Sequence, residues 1–161
     1  MGRKAAVALG ALLTVAGFVL ALVGLAVPWV NYRIRVDATT GDSGVERAAG
    51  VAVFQLDHGW WYVIALFVLL GCVAGAAAGS GRAARVSAVA GIAVGVLAML
   101  VASAIGAQIA ATSADAFGLT TIQVAAVRSA GSTYGVAAPP LLALGAALLS
   151  VRTAQHRPPA S

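Results

Sequence analysis

The sequence predicts an all-α integral membrane protein, a four-helix transmembrane bundle carrying a small external β-hairpin or three-stranded sheet. Three observations predict it. Four uncharged stretches, Ala5 to Asn31, Gly59 to Gly81, Val86 to Ala114 and Ser129 to Val151, each exceed the ~20 predominantly apolar residues that carry a helix across a bilayer core. All five acidic residues, Asp37, Asp42, Glu46, Asp57 and Asp115, fall in two of the gaps between these stretches, whereas the chain ends and the third gap hold only basic charge. The composition, 61% hydrophobic and 9% charged over 161 residues, lies far from the ~25% charged residues of a soluble domain.

The charges also predict an orientation. Arg3, Lys4, Arg82, Arg85, Arg152 and Arg157 stand on one side with no acid, while Arg33, Arg35, Arg47 and Arg128 share the other side with all the acids. The positive-inside rule then predicts a multi-pass membrane protein with both termini and the Arg82 to Arg85 turn cytoplasmic. One domain, 1–161, is expected, with spans at about 5–27, 60–80, 86–110 and 133–151 and external loops at 28–59 and 112–132. The first apolar run is too long for a cleaved signal peptide, whose apolar region is about 7–15 residues. The net charge of +5 comes from pairs scattered at span ends rather than a basic face, so nucleic acid is not an expected partner and the lipid bilayer is. Nine Arg against one Lys, with abundant Ala, Gly and Val, match the codon bias of a high-GC bacterium.

Taken in chain order, the spans carry small residues at the spacings by which membrane helices approach one another. Gly10, Gly17 and Gly24 repeat every seven residues on one face of the first span. Gly71, Gly75 and Gly79 mark a face of the second, with Leu69 expected off it. Gly91 and Gly95, then Ala98, Ala102, Gly106 and Ala110, mark the third. Packing within one bundle is the preferred reading, and a dimerisation face the other. The fourth span, expected to start near Ser132 or Thr133, contains Pro139 and Pro140, which predict a kink or loosening near its external end. No span holds an ionisable side chain. The polar ones, Thr14, Ser87, Ser103 and Gln108, can return hydrogen bonds to their own helices, so a proton-coupled pump is not expected. Cys72 stands alone, which rules out an intrachain disulfide and suits a small packing residue.

In the first external loop, Val30, Tyr32, Ile34 and Val36 alternate with Asn31, Arg33 and Arg35, the period of a strand beginning at Trp29. The turn-rich Thr39 to Gly44 and a second strand over Val51 to Leu56 complete a hairpin. A third strand is expected at Leu119 to Val124, unless those residues run into a short helix through Arg128. Trp29, Trp60, Trp61 and Tyr134, with Tyr32 and Tyr62, are expected as anchors at headgroup level. Asp57 and His58 are too few for a metal centre, since His156 lies on the far side. Asp57 is expected to cap the second helix. No cofactor or metal is expected.

The order of span, strand from Pro28-Trp29-Val30, turn, strand, two spans, shorter loop and span is similar to the claudin-like tetraspan arrangement. That family's paired cysteines after Gly-Leu-Trp are missing from the corresponding Gly50-Val51-Ala52-Val53, so barrier or pore formation is not carried over. Over most of its length the Ala-rich, Arg-containing chain with a Trp just after the first span also resembles small four-pass actinobacterial proteins of the tryptophan-associated transmembrane type. That resemblance implies a plasma-membrane protein without established chemistry. Because no nucleophile and base stand at a catalytic spacing, an enzyme is not expected. The expected function is an accessory or scaffold membrane protein whose external loops contact a larger membrane or envelope protein. A small oligomeric channel or transporter is the alternative, and homo-oligomers are compatible with either.

Overall fold

The computed structural model describes residues 2–36, 45–115 and 122–151. Four helices, α1 (Arg3–Ala26), α2 (Gly59–Ala78), α3 (Arg82–Asp115) and α4 (Ala130–Ser150), are joined by three strands, β1 (Val30–Val36), β2 (Val45–Val51) and β3 (Ile122–Arg128), and by a 3-10 turn at Val53–Gln55. All four helices are long and apolar enough to cross a membrane. Helix α1 stops where Pro28 forces the preceding residue out of helical geometry, and Val27 is extended at ψ 141°. The α2–α3 turn is made possible by Gly81, whose φ of +53° suits a residue without a Cβ. At 1.5 Å per residue, the 34 residues of α3 run ~51 Å, so this helix outreaches its neighbours and stands beside β3.

The sheet has the order β2-β1-β3 with both pairings antiparallel. Two strand boundaries differ from expectation. The second strand is Val45–Val51 rather than Val51 to Leu56, because β1 begins only after Pro28 and its first residue, Val30, pairs with Val51. Beyond Val51 the chain turns inward and buries Val53 completely. The third strand is Ile122–Arg128: residues 122–124 of the expected Leu119 to Val124 are strand, which continues to Arg128 in place of the alternative helix, and residues 119–121 lie outside the described residues. Its register is fixed at the helix end: Val30 pairs with Arg128, and the Ser129 N–H donates to the Trp29 carbonyl at 2.9 Å. The expected turn at Thr39 to Gly44 lies outside the described residues.

The glycines of α1 lie along α4. A Cβ added at Gly10 would stand 2.9 Å from Leu148 Cβ, one at Gly17 3.0 Å from the Leu142 nitrogen, and one at Gly24 3.1 Å from the Gly135 nitrogen. The two helices are therefore antiparallel and in backbone contact, with Thr14 folding its hydroxyl onto the Gly10 carbonyl at 2.9 Å. On α3, Gly91 faces Cys72 and Ala146, Gly95 faces Ala143, and Ala98 and Ala102 are buried. Helix α2 departs from expectation. Its buried stripe is Tyr62, Leu66, Leu69, Val73 and Ala76, the spacing of one helical face. Gly75 lies beside this stripe against Ser87, whereas Gly71 meets nothing within 4 Å. Leu69 is fully buried, so it belongs to the packed face of α2. These contacts put α1's start, α4's end and the Arg82 to Arg85 turn at the end opposite the sheet.

Candidate functional site at the sheet end

Where the sheet meets the bundle, two prolines each leave a helical carbonyl without its donor. A proline lacks the N–H that would bond the carbonyl four residues earlier. Pro28 thus frees the Gly24 carbonyl at the end of α1, and Pro139 frees the Gly135 carbonyl inside α4. Two aromatic side chains supply the missing donors: Trp29 Nε1–H donates to Gly24 O at 2.7 Å and the Tyr62 hydroxyl donates to Gly135 O at 2.6 Å. The two rings meet edge-to-face, centroids 5.0 Å apart at 65°, a geometry worth about 0.5–1.5 kcal/mol beyond the area buried. Gly135 has no side chain because the Trp29 indole occupies that space.

Trp29 is also tied through its backbone, its N–H donating to Val51 O at 2.9 Å while its carbonyl accepts from Ser129. One residue therefore holds the end of α1, the start of α4 and both edge strands together. This corrects its expected role: at 0% exposure Trp29 is core and not a headgroup anchor, and so is Tyr62. Trp60 and Trp61 are 64% and 63% exposed, and Tyr32 and Tyr134 are half-buried. The indole N–H decides the difference, since Pro28 gives it an acceptor one helical turn back.

The start of α2 also differs from expectation. His58, not Asp57, is the residue flanking the helix, in left-handed geometry at φ 64° and with no side-chain cap. Asp57 is exposed. The tight turn before α2 is closed instead by the Gly59 N–H on the Leu56 carbonyl at 3.0 Å, and Gly59 is required because a Cβ would overlap the Val53 carbonyl. Among the described residues no group of three His, Cys, Asp or Glu side chains could hold a metal ion.

Among the described residues, two cavities open at this end. One of about 290 Å³ is lined by His58, Trp61, Val101, Ala104 and Ile105. The larger, about 640 Å³, lies between α3 and α4 and is lined by Ser103, Gly106, Arg128, Ser132, Thr133 and Val136 among others. Ser132 donates to the Ser129 carbonyl at 2.8 Å, while Ser103, Arg128 and Thr133 are exposed. At the opposite end, Lys4, Arg82 and Arg85 are exposed. The Arg3 side chain, Gln108 side chain, Arg152 and Arg157 lie outside the described parts. Sequence reasoning passed over Tyr62 as a hydrogen-bond donor and Arg128 as a cavity residue. The glycine four residues before Pro28 and before Pro139 was the available signal for the first. Comparison with protein-family models, curated proteins and solved structures finds no match.

Proposed function

We propose that the chain is an accessory or scaffold protein of the plasma membrane, with four helices across the bilayer, both termini cytoplasmic, and its sheet offering a strand edge to a larger membrane or envelope protein. The observation that carries this reading is the strand order β2-β1-β3. Strand β1 offers no edge, because it is paired on both sides over its whole length. The edges belong to β2 and β3, and β3 is flanked by α3. That leaves β2, Val45–Val51, as the strand whose free N–H and C=O groups suit pairing with a partner strand.

The membrane reading is supported by the helix surfaces. Leu12, Val15, Phe67, Val86, Val89 and Leu100 are exposed large apolar side chains on α1, α2 and α3, a surface that water would not tolerate over such an area and that lipid solvates. The exposed Trp60 and Trp61 at the sheet end suit the membrane–water interface. Affinity purification in mild detergents should recover a stoichiometric membrane or envelope companion, and a clean monomer or homodimer under several detergents would sink the scaffold reading. Orientation is read separately. In a Cys72→Ala background, Ala49→Cys should react with an impermeant thiol reagent in spheroplasts and Ser80→Cys should not; the reverse pattern would overturn the topology.

A further inference from the structure

The 640 Å³ cavity between α3 and α4 takes no part in the aromatic junction beside it, and its lining has a chemistry of its own. Arg128, the last residue of β3, lays its guanidinium over Gly106: a Cβ there would stand 3.1 Å from a terminal nitrogen and 3.2 Å from the central carbon. Among the described residues no carboxylate pairs with it. The cation is thus packed against a position with no side chain and has no counter-charge among the described residues, its planar fork of donors suited to two oxygens of one phosphate. Ser103 and Thr133 add exposed hydroxyls to the same wall, donors of the kind that ester carbonyls accept.

The cavity also extends away from Arg128 along the helices. Along α4 its lining runs from Ser129, the residue that precedes the helix, to Ala137, and on α3 from Gly106 back to Ala102. At 1.5 Å per residue the α4 wall covers ~12 Å along the axis, with small or apolar side chains below the hydroxyls. A free phosphate would occupy only the Arg128 end. An acyl chain attached to the phosphate would fill the rest.

We propose that this cavity holds one anionic phospholipid, its phosphate on Arg128 and an acyl chain between α3 and α4. The proposal rests on the membrane reading above. The Arg128 cation selects a lipid with net negative charge over a zwitterionic one, whose own ammonium already offsets its phosphate.

Native mass spectrometry of the full chain in detergent, titrated with phosphatidylglycerol or phosphatidylcholine of the same acyl chains, tests it. One phosphatidylglycerol should be retained in preference to phosphatidylcholine. Arg128→Gln should weaken that retention about tenfold, the scale of one charge-assisted pair, and Arg85→Gln at the opposite end should not. Arg128→Lys should recover part of the loss. Ser103→Phe, which puts bulk into the cavity and leaves the charge of the cation in place, should also lose the lipid. Thermal unfolding of each variant separates loss of the lipid from loss of the fold. Equal retention of the two lipids, or full retention in Arg128→Gln, would overturn the proposal. Retention in Ser103→Phe alongside loss in Arg128→Gln would reduce the contact to surface attraction and overturn the cavity assignment. Displacement by millimolar inorganic phosphate would assign the site to a free anion instead. If lipid retention failed while the thiol-labelling pattern held, this proposal would fall and the membrane reading would stand.

Discussion

The glycines of α1 and those of α2 are written in the same code and meet different fates. Gly10, Gly17 and Gly24 all abut α4, whereas in the α2 series Gly79 meets the Ala84 backbone of α3, Gly75 touches only the Ser87 side chain and Gly71 faces open space. The spacing explains the difference. A seven-residue step drifts ~20° around a helix, so three glycines stay on one line and a neighbour can follow them for two helical repeats. A four-residue step at 3.6 residues per turn drifts ~40°, and from Gly71 to Gly79 the row winds from open space onto α3. Small-residue spacing therefore names a face reliably only when its period matches the axis of the helix that packs on it.

The contrast between the two series is most vulnerable at Gly17. Gly17→Leu drives a side chain into the Leu142 backbone, which has no rotamer to yield, and a loss at the upper end of the ~1–3 kcal/mol range for overpacking, or outright failure to accumulate, is expected in thermal unfolding in detergent. Tyr62→Phe is expected to cost ~1–3 kcal/mol, since it leaves the Gly135 carbonyl buried and without a donor. The same substitution should loosen hydrogen-exchange protection at the start of α4, and unchanged protection there would argue that another donor replaces the phenol. Gly75→Leu meets a serine side chain rather than backbone, so ~1 kcal/mol is expected. Gly71→Leu should lie within ~0.5 kcal/mol of the parent, as an open surface position does. A Gly71→Leu protein as unstable as Gly17→Leu would mean that the α2 series is covered after all.

The sequence made the four helices legible because uncharged runs of more than 20 residues have no alternative in a chain of this composition. Strand β1 was equally legible from its alternation. The partner strands were not, since Val51 to Leu56 is as rich in strand-favouring residues as a strand and only the anchoring of Trp29 between Val51 and Ser129 shows where pairing must end. Trp29 itself shows the limit of residue-type reasoning. A tryptophan after a span resembles a headgroup anchor until Pro28 is seen to have emptied the Gly24 carbonyl of its donor. The same arithmetic at Gly135 and Pro139 would have placed Tyr62. The Arg128 cavity could not be read in advance, because it depends on a strand register that brings residue 128 over residue 106.

The whole bundle depends on the α1 glycine face being filled by α4 of the same chain. In a Cys72→Ala background, Gly17→Cys with Leu141→Cys tests this contact, because a Cβ at 17 would stand 3.1 Å from Leu141 Cβ, close to the ~3.5–4.5 Å spanned by a disulfide. Mild oxidation in membranes should cross-link the pair within one chain and leave the protein monomeric on a denaturing gel. A cross-link formed only between chains, or none, would contradict this packing and make the glycine face an interface between copies.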